Sequence, residues 1–151
     1  MHSIALFVSR PAVCSELALE IEATRSVPLQ QELGGLLLFA ADGASIFSVD
    51  IAEEACAYSE FQKLKVDWAT AAARASYGSK IAYLETEYHG GQGAQAAIVW
   101  EHGQVVVGPL MADYGPVNSA LRFLGVRAPV GVDEFDAIGF GAVRQNEDFA
   151  Q

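Results

Sequence analysis

The stretch YLETEYHGGQGAQ, Tyr83 to Gln95, sets two carboxylates and an imidazole at every second position and runs them into a glycine-rich turn. Side chains alternate between the faces of a strand, so Ile81, Tyr83, Glu85, Glu87 and His89 share one side and Ala82, Leu84, Thr86 and Tyr88 the other. Residues two apart on one face lie about 7 Å apart at their Cα atoms, a spacing at which Glu85 and Glu87 could share a divalent ion, with His89 adding an imidazole. E-x-E-x-H along one strand is no established metal signature. A third carboxylate would have to arrive from elsewhere, with Asp113, Asp133, Glu134 and Asp136 available. The simpler expectation is an acidic strand face, solvated or turned to a protein partner, with no metal and no cofactor.

The segment HGGQG, His89 to Gly93, has the composition of a backbone-amide loop that could cradle an oxyanion. The rest of that machinery is missing. There is no G-x-S-x-G elbow, and His2, His89 and His102 are the only histidines from which a serine triad could draw. G-x-x-x-x-G-K-[ST] is also absent, and the loop runs into a strand where phosphate loops open a helix. Gly90, Gly91 and Gly93 are sufficiently explained as the positive-φ residues of a bulged or wide hairpin turn. Gln92 would cap that turn or reach a partner's backbone. A second segment, DEFDAIGFG, combines Asp133, Glu134 and Asp136 with Phe135 and Ile138. It is an amphipathic turn with its apolar side docked, or an acidic rim around an aromatic anchor of the kind protein interfaces favour.

Composition narrows the classes further. The 151 residues are 52% hydrophobic and 19% charged, and mean hydropathy is +0.23. That is ample apolar material to fold, and one domain over residues 1–151 is expected. Nineteen acidic residues against nine basic give a net charge of −10, a field that repels nucleic acid and anionic lipid and attracts a basic protein. The longest apolar run, Leu36 to Ala41, is far shorter than the roughly 20 residues a membrane span needs. The first residues lack the basic start and long apolar core of a secretory signal, so a cytoplasmic location is expected. Cys14 and Cys56, with no C-x-x-C between them, are expected as small buried hydrophobes.

The elements that must hold these residues follow from periodicity. Ser3–Ser9 is a buried strand ended by Arg10-Pro11. Val13, Leu17 and Ile21 mark a helix over about 12–24, with Glu16 and Glu20 outside. SVPLQQELGG is a connector. Strands at 36–40 and 45–49 turn at Asp42-Gly43, and a helix covers about 52–77 with its stripe from Phe61 onward, stopped by Gly78. A three-strand meander follows, at 80–89, 94–100 and 105–108, then a helix opened by Gly115-Pro116 and stopped by Gly125. A helical turn at DEFD and a frayed polar tail end the chain. The fold class is α+β: a mainly antiparallel sheet, a β-meander in the C-terminal half and helices packed on one side.

The segments AYLETEYHGGQGAQAAIVWEHG, GPVNSALRFLGV and DEFDAIGFG together resemble a family of small, mostly uncharacterised bacterial proteins. Their shared segments are Y-x-E-x-E-Y-x-G-G-x-G-x-Q and D-E-F-D. The resemblance covers Ala82 to Gly141 and implies a shared framework, with no activity attached to it. The family pattern has an aromatic residue where this chain has His89, which implies that His89 is not a required ligand. By size and acidity the chain is also similar to immunity proteins that neutralise bacterial toxins, an analogy only. The resulting expectation is a non-enzymatic protein-binding domain whose contacts are Glu85, Glu87, His89, Gln92, Asp133, Glu134, Phe135 and Asp136, with a basic toxin as partner. The alternative is a small metal-dependent hydrolase or ligand-binding enzyme using Glu85, Glu87 and His89 beside the Gly90–Gly93 loop; a homo-oligomer is a third option.

Overall fold

A computed structural model describes residues 2–22 and 24–150. Its centre is a six-stranded antiparallel sheet in the order β2-β3-β1-β4-β5-β6, formed by β1 (His2–Ser9), β2 (Thr24–Pro28), β3 (Gly34–Leu38), β4 (Ile81–His89), β5 (Gln92–Glu101) and β6 (Gln104–Ala112). The α-helices are α1 (Pro11–Ala18), α2 (Val66–Ala75), α3 (Pro116–Phe123) and the single turn α4 (Glu134–Ala137). The fold is α+β, and β4–β5–β6 is the expected meander.

Helices cover both faces of the sheet, where the sequence suggested one. Ala5, Phe7, Leu36, Leu38, Ile81, Tyr83, Ile98 and Trp100 pack under α1 and α2, while Ile4, Leu6, Val8, Leu37, Ala82, Leu84 and Val99 pack under α3 and the segment through Phe140. The reason lies in the central strands. All eight residues of β1 and the first six of β4 are buried, so both side-chain sets of each strand need cover. A near-continuous apolar run is what a doubly covered strand presents.

The first strands differ from the expected set in identity, though not in number. Residues 24–28, read as the end of α1 and a connector, form the edge strand β2. Residues 46–48, read as a strand, make a 3-10 turn instead, leaving only the bridge Phe39–Ser45 across the Asp42-Gly43 reversal. α1 ends at Ala18, and Ile21 beyond it still fills the first core. Gly34 is more than punctuation: a Cβ there would lie 3.1 Å from the Cα of Pro11, so the bare backbone lets α1 start directly against β3.

The long helix expected over about 52–77 is confined to Val66–Ala75. Before it, a 3-10 turn at Glu53–Ala55 leads into an irregular stretch closed by the bridge Cys56–Lys65. Phe61 and Leu64 of that stretch are buried, so the apolar stripe is real although its upstream part is not helical. Ala69, Ala71 and Ala72 bring α2 close to the sheet. The tail is docked rather than frayed. The Ser3 N–H donates to the Arg144 carbonyl, and Asn146, 1% exposed, uses its side chain to accept the Ala5 N–H and to donate to the Ala5 and Leu38 carbonyls where β1 and β3 part.

Candidate functional site

The β4–β5 hairpin carries the opening motif, and its tip divides two clefts on opposite faces of the sheet. His89 pairs with Gln92, so the turn consists of Gly90 and Gly91, both at positive φ (60° and 80°). Alternation then distributes the residues. Glu87, His89 and Gln92 line a cleft of about 300 Å³ with Glu60, Gln62 and Met111. Tyr88 and Gly91 line one of about 420 Å³ on the other face, with Tyr114, Asn118, Asp133, Phe135 and Asp136.

Glu85 forms part of the first cleft, yet its carboxylate is committed to the fold. It is 7% exposed; Oε1 accepts the Gln62 N–H at 2.9 Å, and Oε2 accepts the Lys63 N–H at 2.9 Å and the Tyr83 hydroxyl at 2.7 Å. Burial pushes this carboxyl above its ordinary range, against the opposing pull of the three hydrogen bonds. The same burial, with the Glu85 charge beside it, drives the Tyr83 hydroxyl well upward. Glu85 therefore staples the irregular stretch 61–63 to β4. Glu87 and His89 stand further out, 3.5 Å apart at Oε1 and Nε2 and both substantially exposed. Such a pair contributes little to stability. Among the described residues no group of three or more His, Cys, Asp or Glu side chains is arranged to hold a metal ion.

The second cleft is built from α3, α4 and the hairpin. Gly115 precedes α3 at φ 112°, and the N–H of Val117 is accepted at 3.0 Å by Gln95 Oε1, a cap supplied from β5. Asp133 caps α4: Oδ1 accepts the Asp136 N–H at 2.9 Å, and Oδ2 accepts from Asn118 Nδ2 at 3.2 Å. Asn118 in turn accepts the Phe135 N–H at 2.8 Å, so α3 and α4 are locked together below the cleft. Tyr88 and Tyr114 stack at 6.1 Å between ring centroids and 22° between planes, and the Tyr88 hydroxyl donates to the Asp113 carbonyl.

His2 also lines this cleft and is 9% exposed. Its Nδ1 lies 2.7 Å from Thr86 Oγ1 and its Nε2 3.1 Å from the Phe140 carbonyl, with the Phe135 ring 5.2 Å away. A carbonyl can only accept, so Nε2 carries the proton and Nδ1 accepts from Thr86. Burial holds the imidazole below its usual value, with the nearby Arg144 charge acting in the same direction.

Of the eight contact residues expected from the sequence, Glu87, His89 and Gln92 reach one cleft and Asp133, Phe135 and Asp136 the other. Glu85 is buried in the first. Glu134 lies outside both linings, 8% exposed and bonded at 2.8 Å from its Oε1 to Arg122 Nε, which draws its carboxyl below the ordinary range. Tyr88, Tyr114, Asn118, Arg144 and His2 were not singled out by the sequence. Tyr88 could have been, because it alternates with Glu87 and His89; the others reach the hairpin only through the fold. No helix among the described residues is long and apolar enough to cross a membrane. No family model matches the chain, and no curated protein or solved structure matches it.

Proposed function

We propose that the chain is a non-enzymatic protein-binding domain of the immunity-protein kind, which acts in the cytoplasm and neutralises a bacterial toxin by covering its active site. The observation that carries this reading is the hairpin ridge: acidic and polar side chains on one flank, Glu87, His89 and Gln92, and aromatic and acidic ones on the other, Tyr88, Tyr114, Phe135 and Asp136. An exposed aromatic, Tyr114, backed by the half-buried Tyr88 and Phe135 and set beside a polar rim, is the composition of an interface centre. The net charge of −10 would accelerate capture of a basic partner. Kinship with the small bacterial proteins that share the Y-x-E-x-E-Y-x-G-G-x-G-x-Q segment belongs to the same proposal.

The test is co-expression with the products of neighbouring genes, read as rescue of growth and as an isolated one-to-one complex. The double variant Glu87→Lys, Asp136→Lys should slow association by about tenfold, more so at low salt. If no neighbouring product is toxic, rescued or bound, the reading fails.

A further inference from the structure

The cleft between the hairpin and α3–α4 combines an aromatic wall with carboxylates. Tyr114 is 75% exposed and stacked on Tyr88. Asp136 presents an exposed carboxylate, and Asp133, although it caps α4, keeps further acceptor capacity on both oxygens. Carboxylates complement a cation, and aromatic faces attract one and stack on a guanidinium. The volume of about 420 Å³ leaves room for one long side chain.

We infer that this cleft receives an arginine side chain of the protein partner, its charged head against Asp136 and Asp133 and its stem along Tyr114. The inference rests on the protein-binding reading above and adds the chemistry of the contact. Arg144 also lines the cleft and fixes the sign of the test, since it repels a cationic guest and attracts an anionic one.

The experiment is an NMR titration of the full chain, labelled with nitrogen-15, at constant ionic strength. The probe is N-acetyl-L-arginine amide; its neutral isostere N-acetyl-L-citrulline amide and the anionic N-acetyl-L-aspartate amide are the controls. Saturable shifts at Gly91, Tyr114 and Asn118 are expected with arginine alone. Asp136→Asn should weaken binding about fivefold, Tyr114→Ala about threefold, and Arg144→Gln should strengthen it. Both Asp136 and Tyr114 are exposed, so these variants leave the core intact. Arginine shifts that stay linear, that appear equally at Asp42 and Asp67, which line a separate cleft with Glu20 and Trp68, or that ignore Asp136→Asn would overturn the inference, as would aspartate binding abolished by Arg144→Gln. A toxin complex that survives without arginine binding sinks the cleft alone. Saturable arginine binding with no toxin complex sinks the inhibitor reading alone.

Discussion

Replacing Glu85 by glutamine changes almost no volume and removes one acceptor from a group that takes three donors. With the amide oxygen at the Oε2 position, the Lys63 N–H and Tyr83 hydroxyl keep their partner, while the new NH2 faces the Gln62 N–H; the opposite flip sets the NH2 against the Lys63 N–H and obliges the Tyr83 hydroxyl to turn and accept. A hydrogen bond to a charged group contributes about 1.5–3 kcal/mol, and a partly buried donor left without an acceptor costs about 1–3 kcal/mol. Desolvation of the carboxylate, which raises its pKa, offsets part of the total. The expected loss for Glu85→Gln is therefore about 2–3 kcal/mol, or very roughly 5–10 °C in Tm for a chain of this size. Glu85→Ala, which loses all three bonds, should lose about 4–5 kcal/mol. Urea titration gives the global value, and amide exchange at Gln62 and Lys63 reports the staple itself. A Glu85→Gln variant within about 0.5 kcal/mol of wild type, with protection of those two amides unchanged, would refute the staple and return Glu85 to the pool of free cleft carboxylates.

Asn146→Ala removes three bonds to the backbone of β1 and β3. The variant should lose about 3 kcal/mol in urea titration and become sensitive to proteolysis after Arg144. The pKa of His2 is lower folded than unfolded, so its contribution is complete above about pH 6.5 and is lost as pH falls through the folded value. Wild type should thus lose stability relative to His2→Gln between pH 7 and pH 5, measured by denaturation at each pH. In the hairpin, a Cβ on Gly93 would sit 1.9 Å from the Glu87 carbonyl oxygen, whereas one on Gly91 meets nothing within 4 Å. Gly93→Ala should therefore cost more than about 3 kcal/mol, and Gly91→Ala only the 1–2 kcal/mol or so of a left-handed alanine.

Local chemistry makes a good part of the chain legible in advance. The meander follows from alternating segments separated by glycine turns, α3 from Pro116 and Gly125, and the facing of Val13 and Leu17 from their spacing, because each depends on residues within a few positions. The same alternation places Glu85, Glu87 and His89 on one face of β4. What it cannot supply is the cover over that face. Glu85 is buried because Gln62 and Lys63, more than twenty positions upstream, lay their backbone N–H groups onto it, and periodicity carries no record of such a partner. Strand identity failed for the same reason: β2 has little apolar pattern of its own and is a strand only because β3 offers it an edge. The two flanks of the hairpin tip are a tertiary result as well. One strand alternation sends Tyr88 and Glu87 to opposite sides, and only the packing of α3 and α4 against the sheet places Asp133, Phe135 and Asp136 beside the first of them.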